Sequence, residues 1–171
     1  MRLWHQFLIP LLDDKRLLGQ HRECCALRGK GWGKKHSVVD YVFKHDPGML
    51  YEYHVEVMHE MLKRGMLPGS KWYCRTYRGK NLSETPVADV CKSYVYNSAF
   101  AKQLIFMSFL DFVHMMKAGD SHLLIYPEHD LAYLKECLLN LKSKGAELKG
   151  PVSIKSLSYN LINFHIIFNC S

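Results

Sequence analysis

The densest chemistry in this chain lies in one stretch, His21-Arg22-Glu23 followed by Arg28, Lys30, Lys34, Lys35 and His36, with Gly29, Gly31 and Gly33 set around Trp32. Cationic side chains attract phosphate, glycines let backbone N–H groups approach an anion, and an indole ring can stack on an unpaired base. The pattern suits a nucleic-acid partner. A solvated Gly/Lys loop with Trp32 closing the core is the competing reading, and the charge distribution favours the partner. Glu23 stands out because it is the only carboxylate between Asp14 and Asp40. On pattern alone it reads as half of a surface ion pair worth about 0–1 kcal/mol. Its functional alternative is a carboxylate set against a DNA backbone, where it would stabilise a developing cation or move protons at some cost in phosphate affinity.

Charge supports a polyanion partner for the first half. Residues 1–80 hold 15 Lys and Arg against 8 Asp and Glu, whereas residues 81–171 hold 8 against 8, so the net +7 of the 171-residue chain lies entirely in the first part. With 48% hydrophobic and 23% charged residues the composition is that of one globular domain and excludes a disordered tail protein. Six cysteines without framework spacing point to a reducing cytosol, with association to the nucleoid through DNA. Met1 to Leu12 lacks the pattern of a secretory leader. Ala99 to Met116 is the most apolar segment, but Lys102, Asp111 and His114 interrupt it, so it reads as a buried helix and no membrane is expected.

Three helices must position these residues. The first starts at Asp13 or Asp14, carries Leu17, Leu18, Cys25 and Leu27, and ends before the glycines from position 29. The second runs from about Pro47 to Arg64, with Asp46 as N-cap, Gly65 as stop, and Leu50, His54, Val57, Met58, Met61 and Leu62 as its apolar stripe. The third follows Pro127, capped by Asp130, with Leu131, Leu134, Leu138 and Leu141 on one face and Lys144-Gly145 at its end. The expected fold class is mostly α, a compact single helical domain with long functional loops. Its domain spans residues 1–149, with 82–121 as an insert, and residues 150–171 form a tail that fits strand or helix.

Other motifs are weaker. Trp72, Tyr73, Tyr77 and Arg78 could stack bases or clamp phosphate, or could simply close a core. His54 lies on an apolar face and reads as a satisfied core histidine rather than a ligand. No His or Cys spacing suggests a metal, no cofactor motif is visible, and no obligate protein partner is expected.

The opening MRLW, the LLGQHRECCALRG stretch, GKKH and the EVMHEMLKRGM helix resemble the pyrimidine-dimer DNA glycosylase family of the phage endonuclease V type, closest to a short bacterial branch. The resemblance covers about residues 1–80, and Ile125 to Gly145 resembles the end of that branch. It implies a helical DNA-repair enzyme that flips a base from damaged duplex DNA and attacks the sugar C1′ with its own N-terminal α-amine, with backbone cleavage by β-elimination in the phage-type enzyme. Mapped onto this chain, the catalytic residues are Met1 and Glu23. Arg2, His21, Arg22, Arg28, Lys30, Trp32, Lys34 and Lys35 are the expected DNA-binding residues.

Two positions depart from the family pattern. Arg2 is too large for ordinary removal of the initiator methionine, so Met1 itself carries the amine, and Ala26 stands where an Arg is expected, leaving Arg28 on the next part of the turn. An α-amine, with pKa near ~7.7–8.0 against ~10.4 for lysine, has a useful neutral fraction near neutral pH. The alternative is a non-catalytic nucleic-acid-binding module that retains the basic surface.

Overall fold

Among the described residues the chain forms three helices, whose starts are set by local signals, and three short 3₁₀ segments. The computed structural model describes residues 2–29, 38–84 and 124–149. Met1, Lys30, Trp32, Lys34, Lys35, the apolar Ala99–Met116 segment and the tail after 149 lie outside the described residues. Among the described residues the fold contains helices and turns and no strand. Helix α1 spans Asp14–Arg28, α2 spans Pro47–Lys63 and α3 spans Leu131–Ser143.

Each helix starts on an aspartate whose carboxylate accepts an otherwise orphaned N–H. Asp13 accepts from Arg16 at 2.8 Å, Asp46 from Gly48 at 2.6 Å and Asp130 from Tyr133 at 2.7 Å. Helices α2 and α3 both stop in the same way, at Gly65 (φ 74°) and Gly145 (φ 59°), in the left-handed region where a Cβ would be strained. The following N–H reaches back to the last turn: Met66 N–H to the Met61 carbonyl at 2.9 Å and Ala146 N–H to the Leu141 carbonyl at 3.0 Å.

The core is one cluster built from all three helices and the N-terminal segment. Leu3 and Leu8 from the N-terminus, Leu17 and Leu27 from α1, Tyr53, Val57 and Met61 from α2, and Leu134, Leu138 and Leu141 from α3 are all buried in it. Two details differ from the expected α2 stripe. Tyr53 is fully buried, whereas Leu62 at its end is 43% exposed. Tyr53 is one step before His54 and four before Val57, so it belongs to the same face, and its ring fills the space between α2 and the N-terminal segment.

The N-terminal segment continues into a 3₁₀ helix, Gln6–Leu11, which the sequence did not announce because Pro10 and a run of apolar residues carry no helical period. Arg64 ties it to the end of α2. Its guanidinium donates to the Leu12 carbonyl at 2.6 Å and the Pro10 carbonyl at 2.9 Å while pairing with Glu60 at 2.7 Å. Lys149 N–H closes the other side on the Leu11 carbonyl at 2.7 Å. No helix of the described residues is long and apolar enough to cross a membrane.

Candidate active site

Chain termini ordinarily fray, because few partners hold them. Here the first residues are held by side chains from α1, α2 and α3. The Arg2 amide N–H donates to Glu23 Oε2 at 3.0 Å, and the Trp4 N–H donates to Gln20 Oε1 at 2.8 Å. Gln20 and Glu23 are three residues apart and so share one face of α1. From α2 the Tyr53 hydroxyl donates to the Trp4 carbonyl at 2.6 Å, and from α3 the Tyr133 hydroxyl donates to the Leu3 carbonyl. The loop before α3 adds a reciprocal set: His5 Nε2 donates to the His129 carbonyl at 2.6 Å, and Gln6 N–H donates to His129 Nδ1 at 3.3 Å. Gln6 Oε1 in turn accepts the Ile125 N–H at 2.8 Å. These groups are mostly buried, so each unmade bond would leave a costly orphan.

This framework places the Arg2 amide, the first backbone N–H of the described residues, on Glu23 Oε2. Met1 lies outside the described residues.

Glu23 is half-buried. Burial raises its pKa above the ordinary carboxylate range, and the Arg2 N–H, the positive chain terminus, Lys144 and the Arg2 side chain oppose that shift. A carboxyl whose pKa is raised by burial holds its proton to higher pH than an exposed acid, which is the property a proton-transfer group uses. Lys144, at the end of α3, also lies 5.8 Å from the centre of the Trp4 ring. The Arg2 side chain reaches to α3. Its guanidinium pairs with Glu136 of α3 at 2.7 Å and packs over Trp4 and Tyr133.

The remaining site residues of the sequence reading are placed apart. Arg22 is exposed on α1, one residue from Glu23. Arg28, expected as a DNA contact, is only 7% exposed. Its four terminal N–H groups are directed to the carbonyls of Trp72 (2.7 Å), Cys74 (2.6 Å) and Tyr77 (3.1 Å) and to His54 Nδ1 (3.1 Å). It clamps the 70–78 connector onto the end of α1, and the connector closes over it. Trp72 meets Tyr77 edge-on at 4.9 Å, and Arg78 donates to the Gly29 carbonyl at 3.0 Å.

His21 faces α2 instead of Glu23. Its Nδ1 is 2.8 Å from His54 Nε2, and Cys25 Sγ is 3.7 Å from its Nε2. Three ligand-type atoms of His21, Cys25 and His54 thus lie within 4.8 Å of one another. A metal on His54 Nε2 would require the proton on Nδ1, where the Arg28 N–H already points, so Arg28 works against a cation there. Gln20, Tyr53, Tyr133 and Glu136 were missed in the sequence. Gln20 had a signal, three residues before Glu23 on the same helix face; the α3 residues had none, since their partners lie 130 and 134 positions away.

The sequence model of the pyrimidine dimer DNA glycosylase family matches residues 1–74. That segment, which carries α1, α2 and Glu23, is similar to this family of DNA-repair glycosylases. No curated protein and no solved structure matches the chain.

Proposed function

We propose that this protein is a DNA glycosylase acting on damaged duplex DNA through the α-amine of Met1, with Glu23 as its acid–base partner and strand cleavage by β-elimination as a second step. The Arg2 N–H on Glu23 Oε2 at 3.0 Å carries this reading, because it brings the start of the chain and the lone acid of the basic segment together. The family match over residues 1–74 supports the same reaction class.

The neutral amine attacks C1′ as the C1′–N bond to the base breaks, and the base leaves with the bonding electrons and a proton. The secondary amine so formed opens the sugar ring to an iminium as the ring oxygen takes up a proton. Glu23, ionised, stabilises that positive charge. Removal of a C2′ proton then expels the 3′ phosphate, and water hydrolyses the imine to free the enzyme. Flipping costs a few kcal/mol of stacking, which damaged sites partly remove. Arg22, Lys30, Lys34, Lys35 and Trp32 supply the cationic and stacking surface of the first half.

Borohydride reduction during turnover on a duplex containing an abasic site or a pyrimidine dimer should freeze a covalent protein–DNA adduct. Glu23→Gln should lose turnover while DNA affinity stays level or improves, since a charge facing phosphate is removed. Duplex binding without any adduct from the wild-type chain would instead identify a non-catalytic DNA-binding module.

A further inference from the structure

Four side chains form a hydrogen-bond chain whose direction is forced by its first member. A guanidinium can only donate, so Arg28 Nη1 at 3.1 Å makes His54 Nδ1 an acceptor and places the His54 proton on Nε2. That Nε2–H has His21 Nδ1 at 2.8 Å and the weaker acceptor Cys25 Sγ at 3.9 Å, so the short bond goes to His21 Nδ1, which places the His21 proton on its own Nε2. The His21 Nε2–H then ends 3.7 Å from Cys25 Sγ, a weak acceptor that a stronger one can displace. His54 is fully buried and His21 is half-buried on α1 next to the exposed Arg22.

We infer that Arg28 and His54 are positioning residues that lock His21 as a neutral Nε2–H donor, held for a hydrogen-bond acceptor on DNA such as a base edge. The inference rests on the DNA-binding part of the proposed function and not on its chemistry. Adding a proton to His21 Nδ1 would set it against the His54 Nε2–H, and relieving that clash by moving the His54 proton to Nδ1 would set it against the Arg28 N–H. The chain therefore resists protonation of His21 as a whole. Burial, and then Arg22 and Arg28 of α1, also disfavour a positive charge on His21, while the other groups facing it, Cys25 of α1 and His54 of α2, are neutral. His21 thus contributes a directed bond instead of a mobile positive charge.

The test compares the wild-type chain with His54→Gln and His54→Leu. Glutamine can accept from Arg28 through its carbonyl and donate to His21 through its amide, so it keeps the direction of the chain; leucine breaks it. Nitrogen-15 imidazole spectra should show the Nε2–H tautomer for both His54 and His21 in the wild type, and for His21 in His54→Gln. In His54→Leu, His21 should titrate near the ordinary histidine value of about 6.5. Binding of an undamaged duplex at about pH 5.5 should then gain roughly 0.9 in the slope of log K against log salt, one phosphate's worth, relative to wild type and His54→Gln.

An Nδ1–H tautomer at either histidine would overturn the inference. So would a folded His54→Leu protein with the wild-type pH and salt response, or one equivalent of Zn²⁺ bound by the wild type and lost in Cys25→Ser. A wild type without affinity for any duplex overturns it as well. Failure of borohydride trapping leaves it standing, because neither readout uses damaged DNA.

Discussion

Replacing Tyr53 by Phe removes one oxygen atom from the hold on the N-terminal segment and touches neither Glu23 nor the DNA face. The hydroxyl donates to the Trp4 carbonyl at 2.6 Å from a residue with no solvent exposure, and Trp4 is itself only 7% exposed. Water cannot readily replace the lost donor, so a buried carbonyl is left unsatisfied at about 1–3 kcal/mol. For a chain of this length that predicts a fall in melting temperature of roughly 2–10 °C. The positional effect is separate. Trp4 is two residues from the Arg2 amide on Glu23, and a displacement of about 1 Å at a reacting group costs up to about 100-fold in rate. Single-turnover borohydride trapping on an abasic duplex, well below the melting temperature, should therefore slow by about 10- to 100-fold with little change in duplex affinity. Unchanged melting would refute the buried contact, and a lower melting temperature with an unchanged trapping rate would refute the idea that the framework serves the chemistry.

Other consequences concern charge and burial. Because burial raises the Glu23 pKa above its unfolded value, the ionised carboxyl costs the fold stability, fully above the folded pKa and not at all below the unfolded one. Glu23→Gln should thus be at least as stable as wild type in urea at pH near 8, with the difference vanishing as pH falls below the usual carboxylate range. His5 shifts the other way: burial holds its pKa down to about 3, so the unfolded chain takes up a proton below about pH 6.5 that the folded chain refuses. Stability should drop by up to about 1.4 kcal/mol per pH unit from this residue between those values, and buried His54 and His129, lowered for the same reason, should steepen the fall. Urea midpoints that stay flat from pH 7 to 4.5 would contradict this. Arg28→Lys keeps the charge but not the fork that serves three carbonyls, so unfolding measurements should show a loss of about 2 kcal/mol or more with an unchanged salt slope of DNA binding. A lost phosphate contact without destabilisation would reverse that assignment.

The helices were legible because their ends are local. An aspartate before each start and a glycine after the stops of α2 and α3 act within one turn, and leucines at three- and four-residue steps mark the buried face. Glu23 was legible as an acid without nearby acids, and its link to the chain's beginning came from family resemblance. What the sequence concealed was distance. The carbonyl acceptors of Arg28 lie 44 to 49 positions away and His54 lies 26 away, so beside Gly29 and Lys30 it read as one more solvent-facing cation. Tyr133 and Glu136 reach the first residues from α3 across at least 130 positions, a pairing that no local period encodes. The order of His21, Cys25 and His54 became chemically meaningful only when Arg28 was seen at the head of their hydrogen bonds, which assigns each proton.

The most direct test is to locate the covalent bond itself. The intact chain, its N-terminus verified by mass, would be trapped with borohydride on an abasic duplex, digested with protease and nuclease, and the adduct-bearing peptide sequenced by mass spectrometry. The account predicts a sugar remnant on the α-nitrogen of Met1, lost when a residue is added ahead of it. A remnant on Lys144 or any other lysine, or trapping undiminished by the added residue, would contradict it.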